Sequence, residues 1–74
     1  MLHIHDPKVE SLYLIAKRAC CDIGIECDQR EAVLLLGGYA RSGNKEANTA
    51  LNMLFRAPYL HPLLREMIAS ELQT

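Results

Sequence analysis

Apolar residues recur at helical spacing along most of the chain, and the breaks between them mark four segments. Val9, Leu12, Tyr13, Ala16, Ala19, Cys20 and Ile23 share one face of a first helix. Asp6-Pro7 starts it, because the carboxylate accepts orphan amide hydrogens and proline presets φ at the first helical position. Gly24 supplies a C-terminal stop, so this helix is predicted over residues 7–23. Asp28 followed three residues later by Glu31 resembles a capping box and opens a second helix over 29–41. Its expected buried face is Ala32, Leu35, Leu36, Tyr39 and Ala40, with Val33 and Leu34 widening the apolar arc.

Ser42-Gly43 ends that helix and Asn44 caps a third, predicted over 45–56. Ala47, Ala50, Leu51, Leu54 and Phe55 line its apolar face, opposite Lys45, Asn48, Thr49, Asn52 and Arg56. Ala57-Pro58 stops it. His61-Pro62 opens a fourth over 62–72, with Leu64, Met67, Ile68 and Leu72 on one stripe. No useful length of chain alternates with a period of two. The expected fold is all-α: four short helices packed as antiparallel helical hairpins, one domain spanning 1–74, with residues 1–5 flexible.

Gly37 and Gly38 interrupt this pattern, since each costs about 0.8–1 kcal/mol relative to alanine inside a helix. A tight hairpin accounts for them: without side chains there, the second helix can approach Ala47 and Ala50 on the third. The alternative is a helix that frays or breaks at the glycine pair.

Composition adds the expectation of a partner. Of 74 residues half are hydrophobic, with twelve leucines, one phenylalanine and no tryptophan. A chain of this size buries only about 60% of the surface its unfolded form exposes. More apolar surface is available than the chain hides easily, which points to a bound partner or self-association. The net charge of −1 provides no field drawing the chain to nucleic acid or anionic lipid. The apolar runs are far shorter than the ~20 residues that span a bilayer, and the N-terminus has no signal-peptide pattern. A cytoplasmic location is expected, with Cys20, Cys21 and Cys27 as reduced thiols.

Candidate chemistry is sparse. His3 behind a free amino group could wrap Cu(II) or Ni(II) in nitrogens, with His5 and Asp6 adding donors. A solvated chain end is the plainer reading, and no metal or other cofactor is expected. The cysteines form no CxxC pair and nothing resembles an oxyanion-hole loop, so no catalytic residues are assigned and an enzyme is not expected. Asp22, Glu26, Asp28 and Glu31 read as caps and a solvated loop. Tyr39 and Tyr59 read as half-buried packing residues.

The stretch "GGYARSGNKEA", Gly37 to Ala47, resembles the turn of a tetratricopeptide or pentatricopeptide hairpin. There a first helix ends near a tyrosine, a glycine follows, and "EA" opens the second. The resemblance covers one hairpin, is one residue tighter than the usual tetratricopeptide spacing, and has no second copy. It implies a fragment completed by a partner, since a solenoid needs about three repeats. Among short tetratricopeptide-like proteins, the chain is similar in size, helicity and leucine content to the needle-subunit co-chaperones of bacterial type III secretion. That likeness implies shielding of an apolar helix.

The expected function is therefore a helical interaction module, chaperone or adaptor that buries an apolar helix of a partner or of a second copy. Its candidate contacts are Leu12, Tyr13, Leu35, Leu36, Tyr39, Leu51 and Leu54. The alternative is a small nucleic-acid-binding regulator using Arg41, Lys45 and Arg56 on phosphate.

Overall fold

The computed structural model describes residues 4–19 and 27–73. Among the described residues there are four helices: α1 (Pro7–Lys17), α2 (Cys27–Arg41), α3 (Lys45–Arg56) and α4 (Pro62–Gln73). The all-α expectation holds. Helices α2 and α3 pack on each other, and both α1 and α4 pack against that pair. Among the described residues α1 and α4 do not meet, so the α2–α3 pair is the centre of the molecule.

Helix α1 begins as its sequence dictates: the Asp6 side chain accepts from Lys8 N–H at 2.9 Å and Pro7 holds the first position. It ends at Lys17 rather than at residue 23. The Arg18 and Ala19 amides donate to the carbonyls of Ile15 and Ala16, three residues back, which tightens the last turn and ends it. Ala19 then turns its carbonyl to another use, accepting from His61 N–H at 3.1 Å. The Cys20, Ile23 and Gly24 assignments lie outside the described residues. Helix α2 starts at Cys27, so Asp28 sits within the first turn rather than capping it, where its charge still complements the helix dipole.

The α2–α3 turn is fully specified by local bonds. Gly43, at φ +98°, is the one described residue with a left-handed backbone. Gly43 N–H donates to Ala40 O at 3.1 Å and Asn44 N–H to Tyr39 O at 3.0 Å, the paired bonds of a Schellman motif. The Asn44 side chain then accepts from Ala47 N–H at 3.0 Å, closing α2 and opening α3 with one residue.

The core joins Val9, Tyr13 and Ala16 of α1, Ala32, Val33 and Leu36 of α2, all four predicted residues of α3 from Ala47 to Leu54, and Leu64 and Ile68 of α4. Three expectations are corrected here. Leu35 is 46% exposed, because α2 turns Gln29, Ala32, Val33, Leu36 and Gly37 inward instead, and Phe55, in the last turn of α3, is 40% exposed beside a buried face formed by Ala47, Ala50, Leu51 and Leu54. Gly37 is buried against α4, not α3: a Cβ placed there would fall within the Glu71 carboxylate, which pairs with Arg41. A Cβ placed at Gly38 would meet nothing within 4 Å, so that position makes no close approach to Ala47 or Ala50. Finally, Ile4 is in the core, and the backbone amides of His5 and Asp6 both donate to Glu46 Oε1 at 2.8 Å. Residues 4 and 5, expected to be flexible, are therefore held.

Candidate functional site

The seven residues proposed from sequence as partner contacts separate into two groups. Leu36, Leu51 and Leu54 are fully buried and Tyr13 is 6% exposed. A partner reaches none of the three leucines without unfolding the helix pair, so these four are corrected to core residues. Their assignment failed because an apolar stripe reads the same whether it meets its own domain or another. Leu12, Leu35 and Tyr39 remain at the surface, and the fold brings all three together.

They line a shallow groove between α1 and α2. Leu12 and Leu35 border it along its length, with Tyr39 and Pro7 toward one end and Ile15 and Ala32 toward the other. The start of α1 therefore lies beside the C-terminal half of α2, and the last turns of α1 beside its first turns. Helical geometry explains the composition of this strip. In α2, Leu35 stands about 100° round from the buried Leu36 and shares its flank with Tyr39 four residues on. In α1, Leu12 flanks the buried Val9, Tyr13 and Ala16. Leu34, 53% exposed, lies on another side of α2 and takes no part.

The groove ends are polar. Lys8 and Ser11 stand at the Tyr39 end, Asp28 and Glu31 at the Ile15 end. Sequence reasoning missed Lys8, Ser11 and Ile15 as groove residues; the intervals of four from Lys8 to Leu12 and from Ser11 to Ile15 were the available signal.

The cations of the alternative reading are not assembled. Arg41 is paired with Glu71. Lys45 lines a separate depression at the α2–α3 turn with Gly43, Asn44 and Thr49. Arg56 ends α3, about 16 Å further along the helix axis at 1.5 Å per residue. Among the described residues no group of three His, Cys, Asp or Glu side chains is placed to hold a metal ion. The His3 site lies outside those residues. Cys27 is exposed and in no disulfide. No described helix is long and apolar enough to cross a membrane.

No family model, curated protein or solved structure matches the chain.

Proposed function

We propose that the protein is a helical protein–protein interaction module whose α1–α2 groove receives the apolar face of a helix. The observation that supports this is the apolar strip formed by exposed Leu35 with half-buried Leu12 and Tyr39, contributed by two helices whose buried faces are already committed to the core. A helix in such a groove anchors through residues at intervals of three and four and removes the leucines from water. Full burial of a leucine is worth about 1.5–3 kcal/mol, so covering Leu35, which is 46% exposed, gains about half of that.

The chaperone and adaptor roles, including the tetratricopeptide-like likeness of Gly37 to Ala47 and the cytoplasmic setting it implies, belong to this proposal. Shielding an apolar helix is what an open groove with leucine walls can do. The nucleic-acid alternative is weaker, because Arg41 is engaged by Glu71 and Lys45 and Arg56 stand at opposite ends of α3.

Leu35→Glu tests the reading. The position is half exposed, so the variant is expected to keep its helical circular dichroism while losing the protein partner that the wild type retains in affinity capture from its native cells. Capture unchanged by the substitution sinks the assignment of this groove.

A further inference from the structure

We propose that the groove's occupant is a second copy of this chain, paired about a two-fold axis that crosses the groove at Leu12 and Leu35. The inference rests on the reading of the groove as a binding surface and names what binds there.

The order of charge along the groove carries it. Leu12 and Leu35 line both halves and so mark the middle. Lys8 lies beyond them at one end, Asp28 and Glu31 beyond them at the other. A strip that is apolar at its centre, basic at one end and acidic at the other is complementary to itself. Rotation by half a turn about an axis that lies in the interface plane and runs across the groove brings the two copies face to face, keeps the leucines facing leucines and exchanges the ends. Lys8 of each copy then meets Asp28 and Glu31 of the other, and every contact is made twice, as in any isologous interface.

The charges are available for this. Among the described residues, none of Lys8, Asp28 and Glu31 is in an ion pair. A stable pair buries about 800 Å² on each partner, which on a body measuring 32 × 25 × 21 Å engages the whole α1–α2 face rather than the groove alone. A helix from another protein would need to bring the matching order of charges; a second copy already has it.

Reversing the charges tests the arrangement through two full-length variants. Lys8→Glu has acid at both ends of its groove. The double variant Asp28→Asn with Glu31→Lys has a basic residue at each end. Each is expected to self-associate at least about tenfold more weakly than the wild type by sedimentation equilibrium, because the two-fold axis makes every repulsion count twice. Mixed in equal amounts, the two should pair with each other, since both ends are then attractive. Native mass spectrometry resolves that mixed pair by mass, and circular dichroism checks that each variant is folded.

A wild type that stays monomeric at several hundred micromolar overturns self-pairing. So does a wild-type dimer indifferent to both variants, or a mixture that forms no mixed pair. None of these results touches the interaction-module reading, which fails separately if Leu35→Glu leaves partner capture unchanged.

Discussion

Helices α3 and α2 lie side by side in the middle of the molecule and handle their apolar residues in opposite ways. In α3, Ala47, Ala50, Leu51 and Leu54 all enter the core, and the opposite face is polar enough to bond back on its own helix. Thr49 Oγ1 donates to Lys45 O at 3.0 Å, and Asn52 Nδ2 to Asn48 O at 2.9 Å. In α2, leucines stand on several sides: Leu36 is buried, while Leu34 and Leu35 are 53% and 46% exposed. The contrast separates apolar surface that holds the fold together from apolar surface left over. On α3 the surplus is confined to Phe55 in its last turn; on α2 it lies along the body of the helix, and Leu35 borders the groove.

Substitutions can break or sharpen this contrast. The largest effect is expected from Leu51→Ala, which empties a fully buried position and should cost about 2–5 kcal/mol in urea denaturation. The matched change Leu35→Ala should stay within about 0.5 kcal/mol of the wild type. If Leu35→Ala is as costly as Leu51→Ala, then the division between core and surplus is wrong.

Next comes Glu46, on the otherwise polar side of α3's first turn. One of its carboxylate oxygens takes two backbone amides from the segment leading into α1. Glu46→Ala should lower stability by about 1–3 kcal/mol, the range for losing hydrogen bonds to a charged group. A change near zero would mean that the start of α1 is held by Ile4 packing alone.

The smallest pair divides two adjacent glycines of α2. Gly38→Ala meets open space and should stabilise the helix by about 0.5–1 kcal/mol. Gly37→Ala should show none of that gain, because the new methyl displaces the Glu71 carboxylate from its place beside Arg41. Adding Glu71→Ala to Gly37→Ala should recover part of it. Equal melting temperatures for the two single glycine variants would contradict the packing of α4 on Gly37.

What could be read from the sequence follows the same division. Helix α3 was legible to the residue at both ends and along its buried stripe, apart from Phe55, because Asn44 and Ala57-Pro58 bound a segment with strong polar contrast. The phase of α2 was not legible. Three consecutive leucines, 34 to 36, fit several inward faces, and the deciding contact is the burial of Gly37 against α4, thirty-four positions from Glu71 in the chain. Of the groove, Leu12, Leu35 and Tyr39 were named, yet alongside four core residues. Periodicity locates an apolar stripe but does not say what covers it.

The Glu46 clamp was hidden for a related reason, since a glutamate in a first helical turn reads as a favourable dipole partner and nothing more. His61 was read only as the start of α4. Its Nδ1 also accepts from Leu63 N–H at 3.2 Å while its backbone amide reaches Ala19, and the second bond depends on tertiary structure.

The three-residue turn at Ser42, Gly43 and Asn44 also sets an order of events. Its bonds join residues within six positions of one another, so they can form in microseconds, on the timescale of local structure. The clamp from Glu46 to His5 and Asp6 must close a loop of some forty residues, and that entropy is recovered only once α1 has packed. Folding should therefore begin at the turn and finish at the clamp. In a chevron experiment, Asn44→Ala then slows the folding arm, whereas Glu46→Ala leaves that arm almost unchanged and speeds unfolding.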